Sequence, residues 1–500
     1  MKKVILLYFL LPILFITACR KAVEQESIIQ VDKKLSSVKT LTTGSPGYLG
    51  VTLCYNGPER AGGAQYPYNK SIFLSNTTEA DWWDNIVEEV ASSGVDYIAP
   101  IDRGFLASYP NIDAGDPNKL ANLCAAMDRR GLGNSFKIAI FDDVPASWTA
   151  NRNKDNGTGY GYNPPFDCSD TTNYKYIWDY NIKLCFQNVP DSKRFKIDGK
   201  PVIIFWSANA PFLTNQAGNL KPILQYIRTK CQSVFGFTPY LVVDQSWLVR
   251  DVTCNDPLVV DAVHNWFVPP GSWTLRTFNN VKIGCSVPQF QYSGNSSFIS
   301  PNHGQTLITG LENTVNAGAK FTLVEGFTDA AESAALWRSN DTTYYDYPNQ
   351  RINILRRYSQ NPYLVTLKLE AEGCDRFYDV TPGNNGIFRT GDIDIVKTTD
   401  VGGGWHVTAA QANEWLEWQE IPMVTNSKFQ IRYSSNEATS VKVSIDGVDL
   451  PTVSLPITGS STWATYDIGT QTFATNSLHT LRITIVSGNC NINFINRATF

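Results

Sequence analysis

Between Tyr48 and about Leu364 short apolar runs alternate with longer stretches whose apolar residues recur at helical spacing. Eight such runs occur, at 50–55, 96–101, 137–141, 202–206, 240–243, 262–266, 281–287 and 321–324. Runs of this length bounded by turn residues predict strands, and their regular alternation with helical stretches predicts β-α units around a parallel sheet. The helical stretches are 79–93, 118–130, 174–187, 220–234, 306–317 and 347–359. In the first, Trp82, Trp83, Ile86, Val87 and Val90 mark one buried face. Eight strands in about 320 residues predict a (β/α)8 (TIM) barrel over 47–366. Two connections, between the fifth and sixth runs and between the sixth and seventh, are short or irregular. An open doubly wound sheet is the other arrangement, but no glycine-rich phosphate loop follows the first run. After Thr366 the pattern changes to alternating strands and turns without helical periodicity, which predicts an all-β jelly-roll sandwich over 367–500.

The N-terminus adds a processing signal to this picture. Lys2 and Lys3 precede an apolar run, 4–16, that is shorter than the ~20 residues needed to span a bilayer. It ends in Ile16-Thr17-Ala18-Cys19, which resembles the lipobox of bacterial lipoproteins. The resemblance implies a signal peptide over 1–18, lipidation of Cys19 and a flexible tether over 19–46. A lipoprotein of the cell envelope follows, expected at the outer membrane or cell surface. The other nine cysteines are scattered without CxxC pairs. At least one must remain unpaired, and Cys374 with Cys490 is the one bridge the spacing invites. The chain carries 42 basic and 46 acidic side chains without a basic block, which excludes the electrostatic footprint of a nucleic-acid binder. With four histidines and neither HExxH nor GxSxG, a zinc hydrolase and a serine esterase are also excluded. Aromatic residues are 12% of the chain, and flat amphipathic rings suit sugars.

A barrel of this kind builds its site at the C-terminal ends of its strands. Those ends deliver Tyr55, Asp102-Arg103, Asp142-Asp143, Trp206, Asp244, His264-Asn265-Trp266, Gln289 and Glu325. Glycoside hydrolysis needs one protonated carboxyl and one ionised carboxyl facing the same bond, and strand-end acids supply both. Asp142, Asp143 and Asp244 are therefore candidate catalytic acids. Tyr55, Trp206, His264 and Trp266 are candidate substrate contacts, and Trp148, Tyr160 and Tyr162 offer further aromatic faces in the loops.

Two family resemblances extend this reading. Ile197-Asp198-Gly199-Lys200-Pro201-Val202-Ile203-Ile204-Phe205-Trp206 and Glu325-Gly326-Phe327-Thr328-Asp329-Ala330-Ala331-Glu332 resemble the fourth- and eighth-strand segments of glycoside hydrolase families 71 and 99. That resemblance implies Glu325 and Glu332 as the acid/base pair, with Leu323-Val324 here in place of the usual Trp-Asn and Ser333 in place of Pro. Farther on, Leu369-Glu370-Ala371-Glu372, Phe388-Arg389, Glu414-Trp415-Leu416-Glu417-Trp418, Ser444-Ile445-Asp446-Gly447 and Asn491-Ile492-Asn493-Phe494-Ile495 resemble family 6 carbohydrate-binding modules in order. This implies a sugar held between Trp405 and Trp463 and hydrogen-bonded by Asn491. It also implies a structural calcium at Glu370 and Glu372, with Asn493 where Asp is frequent. Together these describe a lipid-anchored, monomeric glycoside hydrolase that degrades a polysaccharide or glycan and needs no catalytic cofactor. The alternative is a glycan-capture lipoprotein without catalysis.

Overall fold

The computed structural model describes residues 47–54, 70–73, 78–108, 115–159, 161–209, 211–291, 297–383 and 388–500. The export signal, Cys19, the tether, Tyr55 and Tyr160 lie outside these residues. Each predicted run forms a strand: β1 (Tyr48–Leu53), β2 (Tyr97–Asp102), β3 (Ile140–Asp142, after the short Lys137–Ile138), β4 (Lys200–Phe205), β5 (Tyr240–Asp244), β6 (Ala262–His264), β7 (Val281–Ser286) and β8 (Phe321–Val324). They share one sheet in the order β6-β5-β4-β3-β2-β1-β8-β7, every ladder parallel. Because β1 pairs with both β2 and β8, the sheet curls into a nearly closed, barrel-like form. Among the described residues no ladder joins β6 to β7. At that seam Trp273–Phe278, a polar and aromatic stretch the apolar pattern did not reveal, pairs antiparallel with β7. The corresponding open doubly wound order is not observed.

Strand alternation divides the side chains. Tyr97, Ala99, Phe141, Val202, Ile204, Val242, Ala262, Ile283, Phe321 and Leu323 form the interior cluster. Residues of the other parity, such as Val51, Ile98, Ile203, Val243 and Val324, pack outward under the helices. Gly50 has to lack a side chain, because a Cβ there would fall 2.2 Å from the Tyr97 ring that fills the interior.

The outer layer contains α1 (Glu79–Ser92), α2 (Leu120–Arg129), a helical run over 174–188 that includes the π-turn Trp178–Ile182, α3 (Leu220–Phe235), α4 (Gln305–Thr314) and α5 (Gln350–Tyr358). Thr78 caps α1 by accepting the Asp81 amide at 3.2 Å, and α1 buries the expected Trp82, Trp83, Ile86, Val87 and Val90. Only the short Gln245–Arg250 follows β5, which accounts for the weak helical signal there. Among the described residues no helix is long and apolar enough to cross a membrane.

The C-terminal part is all β: β9 (Thr366–Glu370), β10 (Arg376–Tyr378), β11 (Ile395–Lys397), β12 (Trp405–Gln411), β13 (Trp415–Met423), β14 (Asn426–Ser434), β15 (Thr439–Ile445), β16 (Ala464–Thr472), β17 (Ser477–Ser487) and β18 (Asn489–Thr499). One antiparallel sheet runs β11-β12-β18-β14-β16 with β9 on β18, and the other runs β10-β13-β17-β15. Trp418, Ile431, Tyr433, Val443, Ile483 and Ile492 are buried in this part. Polar contacts tie it to the barrel-like part: the Asn349 amide donates to Asp375 Oδ1 at 2.8 Å, Asn353 Nδ2 to the Gln419 carbonyl at 2.9 Å, and Tyr347 Oη to Glu420 Oε2 at 2.5 Å.

The expected Cys374–Cys490 bridge does not form. Cys374 sits beside Arg389, Cys490 lies within β18, and both are free and buried, as are the other described cysteines except the half-buried Cys54.

Candidate active site

Three carboxylates converge at the end of β8. Glu325 is the first residue past the strand and takes the interior parity of Phe321 and Leu323. Gly326, at φ +84°, then turns the chain, and a Cβ there would meet that of Ala334 at 2.6 Å, so only glycine lets the following segment fold back over the strand end. Asp329 and Glu332 arrive on that segment. One carboxylate oxygen from each of Glu325, Asp329 and Glu332 lies within 4.8 Å of the other two, a spacing that could also hold a metal ion.

The surrounding bonds hold the cluster in place. Thr52, interior on β1, donates its hydroxyl to Glu325 Oε2 at 3.1 Å and accepts the Gly326 amide at 2.6 Å. Asp329 Oδ1 accepts the Glu332 amide at 3.0 Å, and its Oδ2 accepts the Cys54 thiol at 3.5 Å. Burial, then repulsion by Glu332 and Asp329, pushes Glu325 well above the usual carboxylate range. Burial and Asp329 raise Glu332 to about 8, while Arg103 pulls it down. The same burial raises the Cys54 thiol, and the neighbouring carboxylates add to it. Carboxylates this close cannot all ionise together near neutrality, so the cluster retains a proton.

The other predicted acids occupy different environments. Asp143 has interior parity and forms an ion pair with Arg103, Nε to Oδ2 at 2.9 Å. Asp142 is corrected: one residue out of phase, it points into the helix layer, where it accepts Trp148 Nε1 at 3.1 Å and the Ser147 hydroxyl. Its carboxyl, raised by burial to about 7, is enclosed and does not face the strand-end opening. Asp244 is likewise occupied: it caps Gln245–Arg250 through the Ser246 amide at 2.9 Å, accepts the Trp266 amide at 3.3 Å and lies 3.7 Å from His264 Nδ1. His264 is fully buried, donates Nε2–H to the Phe205 carbonyl at 2.9 Å and is held neutral by burial, so it braces the wall, its Nδ1 enclosed without a hydrogen-bond partner. Trp206 and Trp266 are half-buried against the interior cluster, with Trp266 edge-on to His264. Trp148 is corrected from platform to core, fully buried against Trp247, while Tyr162 stays half-buried against Phe212. Arg338, six residues past Glu332, pairs with Glu89 at 3.1 Å.

Asp329, Thr52 and Cys54 are the site residues that sequence reasoning passed over. Asp329 stood inside a quoted motif, and its signal was Gly326, which marks a turn back toward the strand end.

In the sandwich, Trp405 is corrected. It is 5% exposed, tilted against Phe388 with Lys397 over its ring, and so offers no open face. Trp463 is half-buried, donating Nε1–H to Thr399 at 3.1 Å and packing edge-on to His406. Asn491 accepts from Thr408 Oγ1 at 2.9 Å and the Ala409 amide at 3.0 Å, and donates to Ser434 Oγ at 3.1 Å. The residues implied for calcium fit a hard cation: Glu370 Oε2 and Glu372 Oε2 are buried oxygens without a hydrogen-bond partner. Asn493 turns its amide away, donating to Asp400 at 2.8 Å.

Comparison with known proteins follows the same division. Residues 389–497 match the model for carbohydrate binding module (family 35), which supports a carbohydrate-binding module in the C-terminal part. Similar solved structures include the C-terminal family 6 module of LamC from Zobellia galactanivorans, with 22% identity, 27% of this chain and 99% of that chain covered, and a TM-score of 0.22. A family 6 module of Cellvibrio mixtus lichenase 5A in complex with cellotriose shares 23% identity over 27% of this chain and 99% of its own, TM-score 0.23. A family 35 module from Clostridium thermocellum shares 13% identity over 27% of this chain and 100% of its own, TM-score 0.21. No curated protein matches the chain. Residues 45–376, well over half of the sequence, match the model described as Domain of unknown function (DUF5010), and the chain belongs to that family.

Proposed function

We propose that the protein is a glycoside hydrolase whose catalytic domain, 47–366, is a (β/α)8 barrel opened at one seam, and whose module, 367–500, holds it on a polysaccharide or glycan. The observation that carries this reading is the convergence of Glu325, Asp329 and Glu332 at a strand end. Glu332, protonated up to about pH 8, donates a proton to the leaving oxygen, and Glu325 completes the acid/base pair. Asp329 positions Glu332 through its amide. Asp143 with Arg103, and Asp244 with His264, shape the wall. A tethered module raises the local concentration of substrate. Export through 1–18, lipidation of Cys19 and a tether over 19–46 place the monomeric enzyme on the outer membrane or cell surface.

The test is reducing-sugar release from α-mannans, α-glucans and branched glycans by the wild type, Glu325→Gln and Glu332→Gln. Each variant is expected to lose about 10²–10⁴-fold in rate. Undiminished activity in both removes the assignment. Glycan retention with no hydrolysis of any substrate by the wild type establishes a capture protein instead.

A further inference from the structure

The segment that carries Asp329 and Glu332 is closed on itself. Past the Gly326 turn, the Asp329 carbonyl accepts the Ala334 amide at 2.9 Å and the Phe327 carbonyl accepts the Leu336 amide at 3.0 Å. Ser333, directly after Glu332, stands at φ +56°, a left-handed backbone that a residue other than glycine keeps only when its surroundings hold it there. Its hydroxyl donates to the Gln291 carbonyl at 3.1 Å, and the Gln291 amide donates to the Glu332 carbonyl at 2.9 Å.

Two residues farther on, a buried cation grips the segment from behind. The Ala335 carbonyl accepts both the Tyr345 hydroxyl, at 2.8 Å, and Nη1 of Arg351. Arg351 is the second residue of α5 and is fully buried. Its Nη2 donates to Oε1 of Gln289, three residues past β7, and the Tyr345 ring centre lies 4.2 Å from its guanidinium carbon. Its partners are therefore a carbonyl, an amide oxygen and a ring, and no carboxylate pairs with it among the described residues. A guanidinium keeps its charge on burial, and neutral acceptors return only part of the hydration it loses. Methionine would fill the same space without that cost, but only the planar fork ties Ala335 to Gln289 through one side chain.

We propose that Arg351 is a positioning residue for the strand-end acids: by tying Ala335 to Gln289 it keeps residues 326–336 folded back over the end of β8, with Asp329 and Glu332 within reach of Glu325. It touches none of the three. Its effect on rate rests on the hydrolase reading, whereas its effect on the segment does not. Without the clamp Ser333 relaxes and takes Glu332 with it, and misplacing a reacting group by about 1 Å costs on the order of 10²-fold in rate. Sugar contacts from the other strand ends stay in place, so the loss falls on kcat and not on KM.

The experiment compares the full-length wild type with Arg351→Met and Tyr345→Phe, by hydrogen exchange and by reducing-sugar release over a range of concentrations of α-mannan, α-glucan and branched glycan. A buried hydrogen bond to a charged group holds a local opening shut by a factor of about ten or more. Arg351→Met should therefore speed exchange at Asp329, Ala334 and Leu336 about tenfold, leave β14 and β18 of the module unchanged, and lower kcat about 10²-fold at nearly constant KM. Tyr345→Phe, which removes one of the two donors to Ala335, should act in the same direction to a smaller extent, and it decides the matter if Arg351→Met does not fold. Unchanged exchange of the segment in the folded variants overturns the inference, whatever the rates. So does exchange that rises equally throughout the barrel, because Arg351 is then ordinary packing, and so does a raised KM at unaltered kcat. Segment exchange that responds as expected in a protein that hydrolyses none of the three substrates upholds the clamp and removes the hydrolase reading instead.

Discussion

Glu332 carries its proton to about pH 8, because burial and Asp329 disfavour its charge. Its folded pKa lies above its unfolded one, so the stability it contributes is complete below the ordinary glutamate range. That stability is lost as pH rises toward 8, by at most about 1.4 kcal/mol per pH unit. Glu332→Gln, which cannot ionise, should unfold at a higher temperature than the wild type at pH 8 and match it near pH 4. Equal pH profiles of melting temperature would contradict this environment. At this scale the sequence was legible in kind and illegible in phase. Asp142 and Asp143 are adjacent strand-end acids, yet a one-residue shift sends Asp142 under Trp148 and leaves Asp143 with Arg103. Whether a tryptophan is platform or core depends on distant partners, and Phe388 with Lys397 decides it for Trp405.

Elements were read more securely, because burial on both faces writes itself as apolar runs and a one-sided helix as a stripe. The eight strands and six helical stretches therefore lie within a few residues of their expected positions. Trp273–Phe278 escaped because its mixture of polar and aromatic residues has neither signature, being largely half-exposed beside the seam. A tight contact inside an element was also invisible in the pattern: Gly50 on β1 against the Tyr97 ring of β2. Gly50→Ala should push that ring, which is stacked on Phe195 at 4.2 Å, out of its place and cost about 1–3 kcal/mol by overpacking. Chemical denaturation measures this directly, and an unchanged midpoint would show that the ring can move aside.

For the whole molecule, the change of texture at Thr366 marked the sandwich but not its embrace by the barrel. Asn349, Asn353 and Tyr347 reach into it, and Arg130 and Arg357 form ion pairs with Glu370 and Glu420. A joint this polar and this buried should make the chain unfold in one calorimetric transition. Two transitions separated by ten degrees or more would show that the parts are energetically independent. The thiols have a different consequence. All nine described cysteines are free, eight are buried, and Cys54 is held protonated among carboxylates. Among the described residues no oxidant is therefore needed to complete the fold and no disulfide is there for a reductant to open, and the thiolate form that oxidants and alkylating agents attack is suppressed even at the half-buried Cys54.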